Sequence, residues 1–166
     1  MKKQKGFTLI ELIVVITIIG IIAGVTGFIL LGVADAWTFK FNRADLLADG
    51  RLALNRMTRE IREVKDLTSV TTATSSQFRF TNTGNVDITY GLSGSDLDRT
   101  VDSVTNVLAQ DVSSLSFTYY DSDGDTIATP TVSPSSTDIR RVQIDLALTK
   151  NGENVYLQSQ SVPRNF

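Results

Sequence analysis

The sequence predicts an α+β protein in which a long N-terminal helix is followed by an antiparallel β-sheet. Three observations lead to this prediction. An apolar run near the N-terminus is long enough to cross a membrane, and the next stretch repeats its apolar residues at helical spacing. From about residue 77 onwards, apolar residues alternate with polar ones, as they do in strands. We therefore expect the first half of the helix to span a membrane and its second half to pack on the sheet.

The composition excludes several classes of enzyme. The chain has 166 residues, a formal net charge of −2, and neither histidine nor cysteine. Catalysis by Ser-His-Asp or Cys-His groups, zinc sites with histidine ligands and disulfide bonds are therefore excluded. The sequence also contains no P-loop and no GxGxxG motif after a strand. We predict a protein that is not an enzyme and needs no cofactor.

The apolar run covers residues 12–34, which contain no Asp, Glu, Lys or Arg. About 20 apolar residues suffice for a membrane-spanning helix. Lys2, Lys3 and Lys5 precede the run and indicate that the N-terminus lies on the cytoplasmic side. The sequence therefore predicts a single-pass membrane protein whose C-terminal part is exported.

Two polar residues mark the start of the predicted helix. Thr8 and Glu11 have the spacing of a capping box. In this motif the threonine oxygen accepts a free backbone N–H of the first turn, and the glutamate carboxylate accepts the backbone N–H of the threonine. A carboxylate in the first turn also faces the positive end of the helix dipole. However, a carboxylate within an apolar membrane segment costs about 2.5–3.5 kcal/mol at the helix centre and less near an end. We therefore expect Glu11 to have a partner besides the cap.

These N-terminal residues carry a resemblance to a known family. Residues 6–12 read GFTLIEL after a short lysine-rich leader. They resemble the processing site of type IV prepilins and type II secretion pseudopilins. The resemblance implies that a membrane-embedded prepilin peptidase cuts after Gly6 and that the new N-terminal amine of Phe7 is methylated. It also implies that the apolar helix, with Glu11, carries the subunit into a filament.

The resemblance and the periodicity together predict four segments. Residues 1–6 are the cleaved leader, and residues 7–34 form the transmembrane and assembly helix. Residues 35–67 continue this helix as an amphipathic segment, so that one nearly continuous helix of roughly 90 Å runs to about Asp66. Residues 68–166 form the exported β-rich domain.

The amphipathic segment has one apolar stripe with alternating spacings of three and four. We expect this stripe to pack on the protein's own sheet, with a partner helix in a filament as the alternative. The stripe consists of Leu47, Gly50, Leu54, Met57, Ile61 and Val64, and the other faces carry Arg51, Arg56, Arg59, Glu60, Arg62 and Glu63.

The remaining chain shows the alternation that predicts antiparallel strands. Residues 68–76 are predicted to be a polar linker, 107–112 are ambiguous, and 128–138 are predicted to be a loop. Turns are predicted at 82–85 and, as a tight hairpin, at Asn151-Gly152. The alternating segments are 77–80, 86–90, 97–101, 115–119, 142–148 and 155–157.

One acidic cluster could bind a metal. Asp121, Asp123 and Asp125 alternate as the first ligands of an EF-hand loop do, but the sixth position is Thr126 and the twelfth is Val132. An EF-hand needs glycine and glutamate at these two positions. A polar turn is therefore the favoured interpretation, and calcium binding is kept as the weaker one.

Several later patterns resemble the J-type minor pseudopilins and related minor pilins. They are the charged helix face at 51–63, the strand that leads into a DxDG turn, the strand at 140–142 and the Pro-Arg-Asn tail. The resemblance implies a minor structural subunit of a type IV pilus or a type II secretion pseudopilus. Its partners would be prepilin peptidase, other pilin or pseudopilin subunits, the inner membrane and the assembly platform proteins.

The alternative function is a pilus-tip adhesin or a DNA-uptake binding subunit. Removal of the three leader lysines from 16 basic side chains leaves 13, against 18 acidic ones. No basic patch remains beyond the helix region, so the sequence gives no indication of nucleic-acid binding.

The exported domain is expected in the periplasm or outside the cell.

Overall fold

A computed structural model describes residues 6–129 and 139–165 of the chain. The chain divides into two compact units, Met1–Phe41 and Asn42–Phe166. The first helix, α1, is a continuous α-helix of 53 residues, Leu9–Ile61, which begins in the first unit and ends in the second. The predicted continuous helix is confirmed, although it ends five residues before Asp66.

Within the described residues, the second unit contains two antiparallel sheets where the sequence predicted one. The five-stranded sheet has the order β1-β2-β3-β4-β5, and the four-stranded sheet has the order β7-β6-β8-β9. A short 3-10 helix, Leu67–Ser69, precedes the first strand. The strands are β1 (Val70–Ala73), β2 (Phe78–Thr81), β3 (Asp87–Ser93), β4 (Asp96–Val101), β5 (Val104–Ala109), β6 (Val112–Tyr120), β7 (Thr126–Ile127), β8 (Arg141–Lys150) and β9 (Glu153–Ser161).

Both predicted hairpin turns are confirmed. Residues 82–85 join β2 to β3, with Asn85 in the left-handed region at φ 60°. Asn151 and Gly152 join β8 to β9 with φ 51° and 85°, as a two-residue hairpin turn with positive φ at both positions requires.

The predicted linker at 68–76 is wrong. Val70 and Ala73 are buried and belong to β1, which pairs with β2. Threonines between these two buried residues give the segment a polar composition, although threonine is favoured in strands. The ambiguous segment 107–112 contains the end of β5 and the start of β6. Of the predicted loop 128–138, residues 130–138 lie outside the described residues.

The second half of α1 contributes its apolar stripe to the core of the second unit. Leu54, Met57, Ile61 and Val64 are buried, and Leu47 is half-buried against the same core. The stripe therefore packs within the chain, as predicted. The prediction that Glu60 lies on a charged outer face is wrong, because its side chain is buried.

Gly50 marks a close approach between α1 and the four-stranded sheet. A Cβ atom at this position would lie 2.5 Å from Cδ1 of Leu157 and 2.9 Å from Cδ1 of Leu148. A side chain at this position would therefore have to displace the side chains of Leu148 and Leu157.

We expect Gly50→Ala to destabilise the second unit by about 1–3 kcal/mol, because overpacking outweighs the better helix propensity of alanine. Thermal unfolding of the full chain in detergent measures this change as a lower melting temperature. Gly32→Ala is the matched control, because a Cβ at Gly32 meets no atom within 4 Å. An equal effect of both substitutions would contradict the assigned contact.

The C-terminal tail binds the segment that follows α1. The backbone N–H of Arg164 donates to the carbonyl of Arg62 at 3.2 Å, and the side-chain amide of Asn165 donates to the carbonyl of Val64 at 2.9 Å. Both carbonyls lie just beyond Ile61, where α1 ends. The tail thereby holds the end of α1 next to the end of β9.

Candidate assembly segment

The predicted capping box is present at the start of α1. The backbone N–H of Glu11 donates to Oγ1 of Thr8, and the backbone N–H of Thr8 donates to Oε2 of Glu11, both at 3.3 Å. The Thr8 hydroxyl lies at the same distance from Oε2. Gly6 and Phe7 precede the helix, and the Phe7 side chain is 84% exposed.

The helix of the first unit presents an apolar surface on all sides. Large apolar side chains from Leu9 to Val33 are exposed around it. Within the described residues, α1 contains one segment that is long and apolar enough to cross a membrane. A contiguous apolar surface of this size needs a membrane or another protein to cover it. Glu11 is the charged residue at the start of this surface.

A comparison with known families matches this segment. Residues 1–27 match the family model described as "Prokaryotic N-terminal methylation motif", the hallmark of type IV prepilins and pseudopilins. The N-terminal segment of the chain therefore carries the motif that is typical of type IV prepilins and pseudopilins. No curated protein matches the chain. The motif and the apolar N-terminal part of α1 fit a single-pass protein anchored in the inner membrane.

The acidic cluster forms a turn between β6 and β7. One carboxylate oxygen of Asp121 accepts the backbone N–H groups of Asp123 at 3.0 Å and Asp125 at 2.9 Å. Across the described parts of the chain, no three Asp or Glu side chains form a group that could hold a metal ion. The carboxylate of Asp121 thus serves the turn, and calcium binding here remains a prediction without structural support.

A buried ionic network, which sequence reasoning missed, links α1 to the five-stranded sheet. Oε2 of Glu60 accepts a hydrogen bond from Nε of Arg99 on β4 at 2.8 Å and another from the hydroxyl of Tyr90 on β3. Its Oε1 accepts from Nε of Arg56 at 3.1 Å. The Glu60 side chain is 9% exposed and the Arg99 side chain 15%. We call these four residues the Glu60 network.

The Glu60 network changes the protonation of its members. Burial acts to raise the pKa of Glu60, but the hydrogen bonds from Arg99, Tyr90 and Arg56 outweigh it and hold the pKa below its ordinary value. Burial and the neighbouring Glu60 carboxylate both raise the pKa of Tyr90. Glu60 is therefore an ionised acceptor and Tyr90 a neutral donor around neutral pH.

Two signals in the sequence point to this network. Glu60 follows Met57 by three residues and precedes Val64 by four, so it has the helical spacing of the buried stripe. Arg99 occupies the next position after Leu97 on the same side of the alternating β4. Two residues of opposite charge at core-facing positions indicate a buried ion pair.

Proposed function

We propose that the chain is a minor pilin or pseudopilin, a structural subunit of a type IV pilus or a type II secretion pseudopilus. The observation that carries this proposal is the match at residues 1–27, which includes the first turns of the exposed apolar helix α1. A subunit that joins a filament through its N-terminal helix needs such an apolar surface. The minor type rests on the resemblance of the tail and of the strand at 140–142 to minor subunits.

Processing follows from the motif. Prepilin peptidase removes residues 1–6 by cutting after Gly6, and Phe7 is methylated on its new amine. Residues 7–34 then hold the subunit in the inner membrane and in the filament, 35–67 continue the helix, and 68–166 form the exported domain in the periplasm or outside the cell. Other subunits and the assembly platform proteins are the partners.

We expect the protein purified from membranes of a peptidase-positive host to begin at Phe7 with one added methyl group. Mass spectrometry of the intact protein and of its N-terminal peptide measures both changes. Gly6→Val should block the cut, because a β-branched side chain crowds the position next to the scissile bond. Gly20→Val is the matched control and should be cut normally, since Gly20 lies inside α1. An intact Met1 on the wild-type protein would contradict the proposed processing.

A further inference from the structure

Strand β5 is an exposed edge of the five-stranded sheet. In the described parts of the chain it pairs with β4 alone, and Val104 and Val107 are 62% and 52% exposed. Its sequence, VTNVLA, contains neither a charged residue nor proline, the features that commonly protect an edge from pairing. By contrast, β1 and β7 are shorter, and Ser161 of β9 donates to the carbonyl of Thr58 in α1.

A pocket lies between β5 and α1. It is lined by Arg56 of α1, Arg99 of β4 and positions 106–108 of β5. Both arginines bond Glu60 through Nε, and the Arg56 side chain is 44% exposed. Two guanidinium groups against one carboxylate leave a positive charge at this pocket. The pocket therefore favours an anion, and a carboxylate matches the fork of an arginine.

The register of β4 and β5 determines which side chains face the pocket. Arg99 faces α1, where it bonds Glu60, and Asn106 is its cross-strand partner. Val104 precedes Asn106 by two residues and so lies on the same side of the strand. A strand added along β5 would therefore place every second side chain on this side, within reach of Arg56.

We propose that β5 and the Arg56–Arg99 pocket form a docking site for an extended acidic segment of another filament subunit. The segment adds to the sheet as a sixth strand through backbone hydrogen bonds and places a carboxylate against the two guanidinium groups. Apolar side chains on either side of the carboxylate cover the exposed Val104. The proposal rests on the function proposed above, because it assigns a contact between subunits to a surface of this chain.

The test uses the full chain in a zwitterionic detergent and three labelled peptides. The first peptide, TVTETVT, has valine, glutamate and valine on one side of a strand. The second replaces glutamate with glutamine, and the third replaces two threonines with proline, so that it cannot present a regular strand edge. Fluorescence anisotropy measures binding, and sodium acetate serves as a free carboxylate.

We expect the glutamate peptide to bind about tenfold more tightly than the glutamine peptide, as one charge-assisted hydrogen bond allows. Arg56→Met should remove this difference, and Arg59→Met, a matched control on the exposed side of the helix, should retain it. The proline peptide should not bind. Equal binding of the first two peptides, or no binding of either, would overturn the proposal, and so would complete displacement by millimolar acetate.

These outcomes are separate from those for the proposed function. Cleavage after Gly6 and methylation of Phe7 involve neither β5 nor the pocket. A chain that is processed but does not bind the peptide would retain the proposed function and lose this docking site. A chain that binds the peptide but keeps Met1 would retain the docking site and lose the proposed function.

Discussion

A Glu11→Gln variant is expected to insert into the membrane and to be cut normally, but to fail to enter filaments. The proposed cleavage after Gly6 would create a positively charged amine on Phe7, four residues before Glu11. In a filament, the carboxylate of one subunit can pair with the amine of a neighbour. Two opposite unit charges 4 Å apart attract each other by about 1 kcal/mol in water. The attraction between the carboxylate and the amine becomes several-fold larger where water is scarce. Such a pair would offset part of the desolvation cost of both charges and would set the register between subunits.

The capping box of the structure separates two roles of Glu11. Glutamine retains an oxygen that can accept the N–H of Thr8, so Glu11→Gln preserves much of the cap and removes the charge. Thr8→Ala does the opposite, and this control should assemble. Incorporation is measured in sheared filament fractions and by complementation of a deletion strain. If Glu11→Gln entered filaments at the wild-type level, Glu11 would serve only as a helix cap.

Glu60→Gln is expected to destabilise the second unit by about 3–5 kcal/mol, because it leaves the guanidinium of Arg99 largely buried without its counter-charge. Urea unfolding of the full chain in detergent measures the loss. The triple variant Glu60→Leu, Arg99→Met and Tyr90→Phe replaces the three most buried members of the network with apolar side chains. It should recover much of the lost stability. Arg79→Ala breaks an exposed pair with Asp87 and should cost less than 1 kcal/mol. Similar losses for Arg79→Ala and Glu60→Gln would contradict the importance assigned to burial.

The Glu60 network also predicts how stability changes with pH. The pKa of Glu60 is lower in the folded chain than in the unfolded chain, where a glutamate titrates near pH 4.3. Its ionisation therefore stabilises the fold fully above that pH, and the contribution is lost as the pH falls through the lower, folded pKa. Below about pH 4, the wild type should lose more stability than Glu60→Gln. Parallel pH profiles of the two proteins would contradict this assignment.

The local periodicity of apolar residues predicted most elements of the fold. The division of the strands into two sheets depends on long-range pairing, and periodicity did not predict it. The alternation at Phe78 and Phe80 identified β2, and the helical spacing of Leu54 and Met57 identified the buried side of α1. Alternation shows which side of a strand is buried and does not show its neighbour, so the division into two sheets was not predictable.

The capping box and the Glu60 network also differ in how far the sequence could predict them. The capping box joins residues three positions apart and could be read directly from the sequence. The Glu60 network joins residues 30 and 39 positions apart, Tyr90 and Arg99, and neither partner is visible from the helix alone. Because a charged residue is seldom fully buried without a partner, composition favoured an exposed Glu60. The roles proposed for Gly6 and Phe7 came from the family motif, and the role proposed for Glu11 came from the cost of placing a carboxylate in an apolar segment.

The bonds of the C-terminal tail have a mechanical consequence. Arg164 and Asn165 bind the carbonyls of Arg62 and Val64, so the chain's last residues are fastened within a few residues of the end of α1. The β-strands thus form a loop of chain whose two ends meet at one short segment. We therefore expect a force that pulls on α1 to load the two tail bonds, which oppose the separation of the C-terminal tail from the end of the helix.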